Sequence, residues 1–131
     1  MASDTRVTLI ASGSAQLSFF LSGRTLNHID FVVEVQNEWL TAASPASSYV
    51  NATPAMLFFD MAAQLRGGAA IRSWEDIEGR VRLSASPALN GSVKLEVVIT
   101  GPKFIDQAQV TLVFEASRLG PISREVMGLF A

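Results

Sequence analysis

The chain has 131 residues, twelve acidic against ten basic side chains, a net charge of −2 and no cysteine. That length predicts one domain over residues 1–131 with a core of its own. The missing cysteines exclude disulfides and thiolate metal sites, and a pI near 5.3 gives no basic footprint for nucleic acid. Apolar residues make up 49% and charged residues 17%, which excludes disorder and leaves room for a partner to cover apolar surface.

Arg6 to Ala11 is a first strand, Ser12-Gly13-Ser14 a turn, and Gln16 to Leu21 a second strand, together a hairpin. Arg24 to Ile29 reads as loop. Asp30 to Glu38 is the clearest early strand, with Phe31, Val33 and Val35 on one side and Val32, Glu34, Gln36 and Glu38 on the other. Trp39 and Leu40 lead into Thr41 to Asn51, where Pro45 argues for an edge strand or a bulge.

Thr53 to Gly68 is the central helix, of about 13 residues, with Thr53 as cap, Pro54 at the first helical position and Gly67 as the terminating residue. Two apolar stripes run along it. One holds Phe58, Met61, Ala62 and Leu65; the other holds Met56, Phe59 and Ala63. A helix apolar on nearly all sides needs more than one layer to bury it. Met56 and Phe59 are therefore expected against the N-terminal hairpin, the C-terminal helix or another chain.

Ala69 to Asp76 reads as a loop carrying Trp74. Three strands follow, Arg80 to Ala85, Ser92 to Thr100 and Gln109 to Glu115, alternating as an antiparallel meander. Matching faces requires an odd loop, Pro87 to Gly91, which sets Arg82 opposite Glu96. The next hairpin, turning through Gly101-Pro102, sets Val97 opposite Leu112 and Lys94 opposite Glu115. Ser117 to Phe130 follows a helical period, with Ser117 or Gly120 as cap and Pro121 in the first turn. No internal repeat is visible. The fold class is α+β: an antiparallel, mostly meander sheet of about six or seven strands, with the central and C-terminal helices packed on it.

No arrangement of residues here suggests an enzyme. His28 is the only histidine, so zinc sites and nucleophile–histidine–acid sites lack members. Glu75, Asp76 and Glu78 lack the ligand spacing of a calcium loop. Gly67-Gly68 falls at the negative end of a helix, the wrong end for phosphate. No metal or cofactor is expected. Trp39 and Trp74 both sit at junctions beside acidic residues, where each can be a core plug or a contact anchor; core packing is favoured. No apolar run is long enough to cross a bilayer, and Met1 to Ser14 lacks the pattern of a signal peptide, so a cytoplasmic protein without membrane contact is expected.

The order of features resembles a known family. A strand through Phe31 to Gln36 leads to a helix with Phe58-Phe59-Asp60-Met61-Ala62-Ala63-Gln64-Leu65, then a Trp-Glu loop and Ile77-Glu78-Gly79-Arg80-Val81-Arg82-Leu83-Ser84. Gly91 to Val97, Val110 to Glu115, and Leu119 with its closing helix complete it. From Asp30 to Phe130 the chain resembles the WapI-type immunity proteins and a neighbouring bacterial family of unknown function. The resemblance implies a small cytoplasmic α+β protein, not an enzyme, that binds and neutralises a cognate toxin domain. An inhibitor of that kind commonly presents carboxylates to a basic site. Glu34, Glu38, Glu75, Asp76 and Glu78 are the candidates, with Trp39 and Trp74 as anchors. Arg80 and Arg82 partly neutralise such a field. The alternative is a self-associating homodimer, joined by the apolar helix or an edge strand, or a small-ligand domain with a pocket lined by Phe19, Phe20 and Phe58.

Overall fold

Alternation in the sequence becomes eight strands and two helices in a computed structural model, which describes residues 5–63, 72–101 and 106–131. The first half runs β1 (Arg6–Ile10), β2 (Gln16–Arg24), β3 (His28–Gln36), β4 (Thr41–Tyr49) and α1 (Pro54–Ala63). The second repeats that order with β5 (Arg72–Glu75), β6 (Val81–Pro87), β7 (Val93–Thr100), β8 (Gln107–Phe114) and α2 (Ala116–Phe130). Each half is a four-stranded antiparallel meander, β1-β2-β3-β4 and β5-β6-β7-β8. The fold is thus α+β and antiparallel, with one central and one C-terminal helix. The strands form two sheets, and the repeat lies in the order of elements, where no repeated residues announce it.

Inward residues come from every element. Phe31, Val33 and Val35 of β3 lie opposite Ala46, Ser44 and Ala42 of β4. These small β4 side chains let the first sheet approach β7 of the second. Across β6, β7 and β8, Leu83, Val97 and Val110 form one buried row and Ala85, Leu95 and Leu112 the next. At the meeting of the halves Phe19 contacts Phe31, Phe58 and Phe130 at centroid distances of 6.3, 6.1 and 5.7 Å. Phe31 also meets Trp74 at 5.9 Å and Phe130 at 5.0 Å. The rings meet mostly edge-on, the geometry their quadrupoles favour.

Several expectations shift. Arg24 belongs to β2, and His28 and Ile29 to β3, so the loop shrinks to Thr25–Asn27. β4 is an edge strand, as Pro45 requires, because a proline nitrogen can face away from a single neighbour. Arg72–Glu75, read as loop, is a strand paired to β6. Both registers have the expected faces but lie two residues away: Arg82 faces Val98, Ser84 faces Glu96, Val97 faces Val110 and Lys94 faces Val113. Pro87 stays in β6, and the turn uses Asn90 and Gly91 at φ of 60° and 77°. α2 starts earlier than expected, with Glu115 at its N-cap instead of Ser117 or Gly120, and Pro121 lies inside it. Pro121 and Ser117 are both exposed, so the carbonyl deprived of its donor can be hydrated. Gln64, Leu65, Arg66 and the terminating Gly67 lie outside the described residues, as does Pro102.

Candidate functional site

The outer face of the first sheet is built in rows across the strands. Arg6, Phe20, Val32 and Pro45 form one row, with the Arg6 guanidinium 4.8 Å above the Phe20 ring. Thr8, Ser18, Glu34 and Ala43 form the next, and the Thr8 and Ser18 hydroxyls are 3.0 Å apart. Ile10, Gln16, Gln36 and Thr41 form the third, joined by a 3.2 Å bond from Gln36 to Gln16. Glu34 therefore sits in the middle of the face, half-buried and without an ion pair among the described residues.

The third row ends at the β3–β4 turn. There the Asn37 side-chain oxygen accepts the backbone N–H groups of Trp39 and Leu40 at 2.8 and 2.9 Å, and the Asn37 N–H donates to the Leu40 carbonyl at 2.9 Å. An Asn that binds its own turn in this way fixes the backbone. Glu38 is exposed on that turn rather than on the strand, and Trp39 is 86% exposed. An indole held out in water on a fixed turn is unusual for a side chain with so much apolar surface.

Trp74 and its acidic neighbours occupy a different place. Trp74 is 9% exposed and donates its indole N–H to the Ala52 carbonyl at 2.7 Å, so it plugs the core. Asp76 is buried and bonds the turn between β5 and β6. Its carboxylate accepts the Arg80 and Val81 N–H groups at 2.6 and 3.0 Å. Glu78 is exposed and paired with Arg80 at 3.4 Å, and Glu75 faces Arg82 across the β5–β6 ladder. This turn docks on the far part of β4, where the Ile77 N–H donates to the Ser47 carbonyl at 3.0 Å. From Thr41 to Ser47 is roughly 20 Å along a strand. The seven candidates thus form two groups: Glu34, Glu38 and Trp39 on the outer face and end turn of the first sheet, and Trp74, Glu75, Asp76 and Glu78 around the turn between β5 and β6.

The two tryptophans have similar sequence surroundings and opposite fates: Trp74 packs on Phe31 and bonds the Ala52 carbonyl, whereas Trp39 stands out from its turn. Sequence reasoning passed over the other large side chains at turn tips, Leu26 at 91% and Leu89 at 86% exposed. They sit in turn segments, where periodicity carries no signal. On α1, Leu57, Phe58 and Met61 are buried, but Met56 and Phe59 remain 55% and 52% exposed, so the chain itself only half covers the second stripe. Phe19, Phe20 and Phe58 line no common pocket, because Phe20 points to the opposite face of β2 from Phe19. An open groove beside α1 has Met56, Asp60, Arg72 and Trp74 on its walls. Among the described residues no group of three or more His, Asp or Glu side chains is placed to hold a metal, and no helix is long and apolar enough to cross a membrane.

The fold has a solved counterpart. A structure described as "Crystal structures of trypanosoma bruciei MRP1/MRP2" is similar over 95% of this chain and 81% of that one, with a TM-score of 0.50 and 13% identity. At that identity the likeness concerns the fold alone. No curated protein matches the chain. Residues 10–131, nearly the whole length, match the family of unknown function DUF6228, and the chain belongs to that family.

Proposed function

We propose that this protein is a non-catalytic immunity-type protein of the cytoplasm, which binds a cognate toxin domain and neutralises it by covering its working surface. Trp39 carries the proposal. It is 86% exposed on a turn already fixed by Asn37, so docking it into a partner's pocket would cost little ordering entropy. Buried aromatic anchors of this kind dominate the energy of protein interfaces. Glu38 on the same turn and Glu34 on the adjoining face would supply carboxylates to a basic partner, and charge of that kind mainly sets specificity and encounter rate. The resemblance to WapI-type immunity proteins supports the same reading. Glu75 and Glu78 contribute less to it, since Arg82 and Arg80 lie beside them.

Co-expression with the product of the adjacent gene tests the proposal. The expected result is a co-purifying complex and protection of cells from that product. Trp39→Ala is expected to weaken the complex by about 2 kcal/mol, or about thirtyfold. Its own melting temperature should stay within about 2 °C of wild type, since an exposed side chain contributes little to folding. A protein that neither binds nor protects against any neighbouring toxin is not an immunity protein. A Trp39→Ala variant that binds undiminished would move the contact away from the β3–β4 turn.

A further inference from the structure

The groove beside α1 has one wall from that helix and one from β5. Trp74 lies at its floor, 9% exposed and bonded to the Ala52 carbonyl. Arg72 and Trp74 stand opposite Ala85 and Leu83, two buried residues of β6, so they share the inward face of β5. Arg72 is exposed nonetheless, because it borders the open groove, and it has no ion pair among the described residues. On the helix, Thr53, Met56 and Asp60 recur at one-turn spacing and line the opposite wall.

Thr53 marks where a ligand would be held. It stands at the start of α1, and its carbonyl accepts the Met56 N–H at 3.1 Å. Among the described residues no hydrogen bond reaches the Thr53 hydroxyl, so it does not cap the helix as expected. The residue is 5% exposed, yet the one fully enclosed, unpaired side-chain oxygen among the described residues is that of Ser48. The remaining opening of the Thr53 hydroxyl is therefore toward the groove that this residue lines. A hydroxyl so nearly buried is costly unless something bonds it. The Ala55 N–H, in the first turn, has no acceptor among the described residues either, and the helix dipole makes this end positive.

We propose that the groove binds a small monocarboxylate with an apolar body. The Thr53 hydroxyl, the first turn of α1 and Arg72 hold its carboxylate, and Met56 and Trp74 take its body. The unpaired groups are donors and a cation, which calls for an anion. Met56 is 55% exposed, so there is apolar wall to cover. Asp60 stands about 10 Å along the helix from Thr53 and repels a second negative charge, which disfavours a phosphate dianion. At about 450 Å³ the groove has the size of small-molecule sites. It lies past the far end of β4, apart from the β3–β4 turn on which the toxin-binding reading rests.

Titration of the full, isotope-labelled chain with hexanoate, followed by amide NMR, tests the proposal. Saturable shifts are expected at Thr53, Ala55 and the Trp74 indole N–H, with a Kd of about 1 mM. Hexanol and inorganic phosphate should each bind at least about tenfold more weakly. Arg72→Gln is expected to weaken hexanoate binding about tenfold and Thr53→Val about fivefold, with Thr53→Ser near wild type. Asp60→Asn should tighten it about twofold. If the valine variant fails to fold, Arg72→Gln decides, since Arg72 is exposed. No shift in the groove up to about 20 mM hexanoate, equal binding of hexanol or phosphate, or undiminished binding to folded Arg72→Gln would each overturn the proposal.

Discussion

Replacing Phe31 by alanine is expected to cost about 3–5 kcal/mol, the loss of a large and fully packed core ring. Phe31 is 1% exposed and touches three other rings, Phe19, Trp74 and Phe130. These belong to β2, β5 and α2, so the ring ties the first sheet to elements of the second half. Truncation removes the ring's transfer energy and leaves a cavity that three separate elements would have to shift to fill. Collapse is then incomplete, which places the expected cost toward the upper part of the range. For a domain of this size that loss lowers the melting temperature by about 10–20 °C. Phe31→Leu, which keeps most of the volume, should lose about 1–2 kcal/mol. Urea denaturation of the three proteins checks the order. A loss below about 1 kcal/mol for the alanine variant would mean that the aromatic cluster is not a keystone of the core.

Asp76→Ala is expected to lose about 2–4 kcal/mol, although it removes hardly any apolar surface. One carboxylate oxygen accepts two backbone N–H groups, from Arg80 at 2.6 Å and Val81 at 3.0 Å, and the other lies 3.4 Å from the Glu78 N–H. Asp76 itself is 5% exposed. Alanine leaves those donors without a partner at a site with little access for water, and buried unpaired donors are what make such losses large. Asp76→Asn keeps one oxygen in place and is expected to lose about half as much. Amide exchange at Arg80 and Val81 gives the local readout: faster exchange in the alanine variant, near wild type in the asparagine one. If the two variants were equally stable, the turn would owe its shape to Gly79, which sits at φ 73° with Glu75 so close that a side chain there would crowd it. The sequence offers Asp76 as a contact for a partner, and its geometry gives it this internal work.

What the residues disclose in advance differs by element for physical reasons. Val81, Leu83 and Ala85 alternate cleanly, so their inward face is legible. Parity cannot tell a register from one shifted by two, so Arg82 was matched to Glu96 when it faces Val98. The deciding facts, Pro87 staying in the strand and Asn90 taking positive φ, belong to the backbone of the turn. Trp74 sits on a four-residue strand, too short for alternation to register. Its burial depends on Ala52, which lies 22 positions earlier in the chain. Periodicity also shows that a face is buried without showing what covers it. For that reason the residues predict a single sheet where two exist, and they leave open what covers the stripe of Met56 and Phe59, which the chain itself half covers. Within the candidate site, Glu34 was correctly read on the outer side of β3. The exposure of Trp39 depends on how Asn37 folds the turn back, a local geometry that composition does not encode.

The aromatic cluster has a consequence for how the molecule comes apart. Phe19, Phe31 and Phe58 come from the first ββββα half, and Trp74 and Phe130 from the second. Each meander can zip up from neighbouring strands over short loops, which favours fast local pairing. Neither half can finish its core without rings from the other. The molecule is therefore expected to melt in a single transition, with calorimetric and van't Hoff enthalpies equal, despite its duplicated plan. A half expressed alone should remain unfolded, because cooperativity in this chain resides in the seam between the halves.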